Sequence, residues 1–102
     1  MLRLISANRE KIEVLCRRFH VRRLDLFGSA VRDDFDPRRS DLDFLVEFDQ
    51  EAPQRALDAY FGLKEGLEEL LGMPVDLIMP GAVRNPFIQA TIAEDRQVLY
   101  AA

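Results

Sequence analysis

A chain of 102 residues, 48% hydrophobic and 31% charged, has the composition of a folded domain, and we expect one domain over 1–102, without room for a second, substrate-binding one. The net charge of −4 argues against generic nucleic-acid binding, so no direct nucleic-acid partner is expected. No apolar run approaches the ~20 residues that cross a bilayer, no signal peptide is visible, and the lone Cys16 excludes an internal disulfide, so a cytoplasmic protein free of membranes is expected.

Charge is spread unevenly. Residues 1–24 hold seven Lys and Arg against Glu10 and Glu13, a net of +5, and the remainder carries −9. The basic end suits an ordinary solvated helix face or an acidic partner. Ile12, Leu15, Cys16 and Phe19 recur at helical spacing, which predicts an amphipathic helix over about residues 8–19 with Ser6 or Asn8 as cap. Cys16 falls on the apolar stripe, where a thiol is buried and inert. His20 reads as a surface or dipole-capping residue. Val21 to Phe27 forms the first strand, with Asp25 exposed on it and Gly28 at its end.

Gly28 lets the backbone approach a ligand closely, and Ser29 brings a hydroxyl and an N–H. If residues 29–34 start a short helix, its free N–H groups form an anion site. Arg32 then lies on the side of Ser29 and reaches either a triphosphate or a neighbouring aspartate. Residues 33–39 form a polar loop punctuated by Pro37. Ser40 directly precedes the second strand, Asp41 to Phe48. Leu42, Phe44, Val46 and Phe48 take its core face, while Asp41 and Asp43 share the opposite face about 7 Å apart. Two acids so placed repel each other unless a cation sits between them, and Mg²⁺ prefers carboxylate and phosphate oxygens. Glu47, two steps beyond Asp43 on that face, is peripheral.

Pro53 opens a helix that keeps its apolar repeat through Ala56, Tyr60, Leu63, Leu67, Leu70 and Leu71, until Gly72 and Pro74 stop it. A third strand follows at Val75–Met79, with Asp76 on the face away from Val75, Leu77 and Met79. Asn85 and Pro86 begin a last helix, for which Phe87, Ile88 and Ile92 supply apolar contacts. Gln97 to Tyr100 closes the chain as an edge strand. Strands alternating with helices indicate an α/β fold, a mixed sheet with helices packed mainly on one side.

The Gly28-Ser29 pair, the Asp41-any-Asp43 strand and a third acid at Asp76 resemble the minimal nucleotidyltransferases (MNT) of the DNA polymerase beta-like superfamily, and the resemblance spans nearly the whole chain. Asp33 stands where that family often has glycine. The resemblance implies a polymerase beta-like core and Mg²⁺-dependent transfer of AMP from ATP. Asp41 and Asp43 would hold the metal, and Asp76 would complete the site and accept the acceptor's proton. Gly28 and Ser29, with Arg32 and Ser40, would bind the nucleotide. Relatives of this kind are commonly antitoxins of HEPN ribonuclease toxins, which implies a hetero-oligomer with such a toxin and AMP attached to one of its tyrosines. The alternatives are a binding module that covers its partner without catalysis, and an aminoglycoside-type nucleotidyltransferase, although those carry extra drug-binding helices. The chain has no P-loop, no zinc cluster and no Ser-His-Asp arrangement around its single histidine. Metal-dependent glycosyltransferases also use an Asp-any-Asp pair but need a sugar-nucleotide domain that this length does not supply.

Overall fold

A computed structural model describes residues 3–31, 36, 41–49, 56–82 and 84–102, with the Ser29 side chain outside this set. Arg32, Ser40, most of the 33–39 loop and the helix start expected at Pro53 lie outside the described residues. The elements seen follow the expected order with one addition. A short helix, α1 (Arg3–Ala7), precedes α2 (Arg9–Arg18) and buries Ile5 completely. Asn8 stands between them, but its side chain does not cap α2. The amide Nδ2 instead donates to the Leu4 carbonyl at 2.9 Å and closes α1, of which Ser6 is a part.

The sheet has the strand order β3-β2-β1-β4. β1 (Val21–Phe27) lies antiparallel to β2 (Leu42–Phe48) and, on its other side, to β4 (Gln97–Ala101), which takes the expected edge. β3 (Val75–Ile78) runs parallel to β2, a pairing that needs a crossover, and α3 (Ala56–Leu71) provides it. Gly72 at φ +66° and Pro74 end α3. The Tyr60 hydroxyl then ties the helix to the edge strand by donating to the Leu77 carbonyl at 2.6 Å.

Side-chain alternation sorts the sheet into two faces. Leu24, Leu26, Leu42, Phe44, Val46, Val75, Leu77 and Leu99 bury one face beneath Ile5 of α1, Ile12 and Cys16 of α2, and Leu63, Leu67 and Leu71 of α3. Three of the helices therefore pack on one side, as expected. α2 and α3 approach closely because a β-carbon at Gly62 would run into the Phe19 ring and one at Gly66 into Leu15. The opposite face is covered by α4 (Pro86–Asp95), whose Ile92 packs with Phe27 and Leu45. Only Ile92 fulfils the expected packing of that helix. Phe87 and Ile88, also expected to make apolar contacts, are exposed on its first turn.

Asp25 is a second correction. It is 1% exposed, not a surface residue, with Oδ1 held by Arg23 Nε at 3.0 Å and Oδ2 by Arg96 Nε at 2.9 Å. β1 is an interior strand covered on both faces, so a carboxylate there survives only with charge partners on each oxygen. The basic N-terminal segment is partly neutralised within the chain. Arg9 and Arg17 pair with Glu13 at 4.0 and 3.8 Å, Arg18 lies over the Phe19 ring at 5.5 Å, and Arg23 is engaged by Asp25. His20 is exposed at the end of α2, in the left-handed region at φ +58°. Among the described residues no helix is long and apolar enough to cross a membrane.

Cys16 is buried, and burial pushes its thiol up from 9.0 to about 12, with Glu13 adding to the rise and Arg17 opposing it. The folded state therefore holds the proton more tightly than the unfolded one. Stability is unaffected below about pH 9 and falls as pH rises from there toward about 12. Alkylation of Cys16 by iodoacetamide at pH 8 should consequently follow global unfolding along a urea series. Rapid modification of the native protein would contradict this assignment.

Candidate active site

The parallel pairing of β2 and β3 decides what stands together. In its register Leu42 lies opposite Val75 and Asp43 opposite Asp76. Partners in register share a face, so Asp43 and Asp76 present their carboxylates from neighbouring strands on the face away from the main core. Asp43 is half-buried and Asp76 exposed. The flanking Leu42, Phe44, Val75 and Leu77 are all buried, so the register is fixed by the core and the acids follow from it.

β1 brings the third part of the site. Phe27 is the register partner of Asp43, so the chain leaves β1 beside that carboxylate. Gly28 has φ +77°, a backbone conformation that side chains disfavour, and a β-carbon there would stand 2.5 Å from Asp43 Oδ2. Only glycine lets this turn lie against the acid. Residues Gly28–Ala30 form a single 3₁₀ turn closed by the Val31 N–H on the Gly28 carbonyl at 3.0 Å. The described part of the expected 29–34 helix is thus one turn, with Ser29 in it.

Asp41 stands one residue ahead of β2 and is exposed. The Leu42 N–H bonds the Pro74 carbonyl at 3.1 Å, which keeps the chain beside β3 where the two segments begin to pair. Among the described residues no three His, Cys, Asp or Glu side chains stand in a group that could hold a metal ion. The register brings Asp43 and Asp76 side by side with Gly28 against Asp43, and Asp41 stands one residue ahead of β2. The donor set still fits a hard divalent cation: two carboxylates from adjacent strands, with a turn pressed against one of them and a further carboxylate two residues upstream.

A cleft of about 320 Å³ opens beside Asp43, lined by Phe27, Gly28, Asp43, Phe87, Ile88, Thr91 and Ile92. The residues contributed by α4 were not among the expected site residues. Asn85-Pro86 signals a helix start, which by itself places Phe87 and Ile88 on a first turn. That α4 lies against the turn after β1 is visible only in three dimensions.

The nucleotidyltransferase domain family model matches residues 9–99. A protein of Methanocaldococcus jannaschii, provisionally named a protein adenylyltransferase, is 38% identical over 87 residues, 85% of each chain. The protein adenylyltransferase MntA of Thermococcus cleftensis is 34% identical over 97 residues, 95% of this chain and 88% of its own. A solved structure provisionally named a minimal nucleotidyltransferase superposes with a TM-score of 0.74 at 32% identity, over 91% of this chain and 90% of that one. The complex of a tri-AMPylated HEPN toxin with its MNT antitoxin from Shewanella oneidensis shares the fold, with a TM-score of 0.61 at 20% identity over 95% of this chain and 72% of that one.

Proposed function

The chain belongs to the nucleotidyltransferase family, and on that footing we propose that it moves AMP from ATP to a hydroxyl of a protein partner, a tyrosine of a cognate HEPN-type toxin, and so acts as an antitoxin. The observation that carries this reading is the junction of three strands at which Asp43 and Asp76 stand in register and Gly28 lies against Asp43. Asp41, Asp43 and Asp76 would hold Mg²⁺. When bound, the ion supplies charge for the triphosphate and lowers the pKa of the attacking hydroxyl.

The other steps belong to the chain's own residues. Gly28 and Ser29, with Arg32 and Ser40, bind the phosphates. The turn at Gly28 approaches them by backbone because no β-carbon intervenes. Asp76, on the outer strand, lies farthest from that turn and receives the proton of the acceptor hydroxyl as it attacks the α-phosphorus. The bond from that phosphorus to the bridging oxygen breaks, and pyrophosphate leaves on the Gly28 side. The fixed β2–β3 register keeps the two acids in place while this happens.

The relative named MntA and the AMPylated toxin complex support a protein acceptor. Co-expression of the chain with a HEPN-type partner, followed by intact-mass measurement of that partner, tests the reading. An added AMP mass that requires the wild-type chain is the expected result. A partner neutralised in a stable complex, with no added mass, would replace catalysis by steric inhibition.

A further inference from the structure

The cleft beside Asp43 has two ends of different chemistry. Gly28 and the Asp43 carboxylate form one. Phe87 and Ile88, 84% and 51% exposed, form the other, with buried Phe27 and Ile92 beneath. Single exposed apolar residues are ordinary, but two adjacent large ones at the rim of a polar site mark a contact surface. They are also firmly presented. Asn85 Oδ1 accepts the Phe87 N–H at 2.9 Å, Pro86 starts the helix, and Thr91 Oγ1 donates to the Phe87 carbonyl at 2.9 Å.

The position of the cleft across the sheet selects its occupant. It is lined from the end of β1 and from β2, and Asp76 on β3, beyond β2, takes no part in it. Under the function proposed above, on which this inference rests, the β1 side receives the nucleotide and the β3 side the acceptor. About 320 Å³ lies at the low end of small-molecule sites, roughly 300–1,000 Å³, a size that accommodates a nucleobase.

We infer that Phe87 and Ile88 form the platform on which the nucleobase of the triphosphate substrate stacks, so that the base is held by its face and not read by its edge. The described lining supports the second half. The Thr91 hydroxyl spends its proton on the Phe87 carbonyl, Asp43 is assigned above to the metal, and the remaining side chains are apolar. Stacking tolerates any base but favours the larger ring. ATP and GTP should therefore bind alike, and both more tightly than CTP and UTP.

Calorimetric titration of the full chain in Mg²⁺ with the four nucleoside triphosphates and with inorganic tripolyphosphate tests this. Phe87→Ala should weaken ATP and GTP by about tenfold and leave tripolyphosphate unchanged, while Phe87→Trp keeps wild-type affinity. Unchanged ATP binding by Phe87→Ala overturns the inference, and if AMP transfer to the partner falls at the same time the platform belongs to the acceptor. An equal loss for tripolyphosphate, or an ATP preference over GTP of more than about tenfold, overturns it as well. The underlying reading fails separately. If Asp43→Asn binds ATP as the wild type does while Phe87→Ala does not, the base platform stands and the metal assignment falls. A wild-type chain that binds no nucleotide removes both.

Discussion

The Asp41→Asn, Asp43→Asn double variant should lose AMP transfer by at least ~10³-fold while keeping its fold. One preorganised transition-state contact is worth roughly 10²–10³ in rate, and these substitutions remove charge from two proposed ligands together. Asparagine keeps the volume of aspartate, so the close fit of Gly28 against residue 43 survives. Asp41 is exposed and Asp43 half-buried, which keeps the cost to the fold small. Removing two neighbouring negative charges even relieves repulsion in the metal-free protein. Intact-mass analysis of the partner measures the loss, and a denaturant curve checks the fold. A double variant that still protects cells from the toxin, with no AMP on the toxin, would assign neutralisation to complex formation. Neutral amides bind Mg²⁺ less well than carboxylates, so nucleotide binding should also lose its metal dependence.

Asp25→Ala should destabilise the protein by about 3 kcal/mol in urea. Breaking one side of a buried ion pair typically costs roughly 3–5 kcal/mol, because the surviving charge is left buried. The lower end applies here, since the Arg23 and Arg96 side chains stay 35% and 33% exposed and regain water. The loss should fall on the packing of α4 and β4 first, because Arg96 joins those two elements and Asp25 ties the junction to β1. Arg96→Met should cost at least as much as Asp25→Ala, as it leaves the buried Asp25 carboxylate with one oxygen uncovered. Wild-type stability for Asp25→Ala would mean that the cluster contributes nothing net.

The strands and long helices were legible because their apolar periods are clean, as in Leu42, Phe44 and Val46 or Leu63 and Leu67. The family was legible from Gly28-Ser29, Asp41-any-Asp43 and Asp76, and the family match over residues 9–99 bears that resemblance out. Other features depend on tertiary neighbours. Asp25 alternates with Leu24 and Leu26 as a solvent-facing residue would, and nothing local shows that Arg96, seventy-one positions away, will reach it. Phe87 and Ile88 have the composition of core residues, yet α4 meets the sheet through Ile92 and leaves its first turn beyond the packed area. α1 is not legible because five residues carry too little periodicity. Asn8 holds the expected cap position of α2, but its side chain bonds back to Leu4, since a side-chain amide can donate backward as readily as it can accept forward.

The strand order also sets when the molecule can assemble. β1 and β2 pair across a short connection, but β3 joins β2 only after α3 has been laid down, and β4 joins β1 across nearly the whole chain. Contacts this distant in sequence close late, after the entropy of a long loop has been overcome. Gly28 and Asp43 can thus meet while the chain is still being synthesised, whereas Asp76 arrives later and the final strand last of all. A nascent chain stopped before residue 97 would hold Gly28, Asp43 and Asp76 in an open, three-stranded sheet, with Arg96 present but without β4 beside β1 to fix it near Asp25. Closure of the sheet thus waits for β4, which covers the free edge of β1.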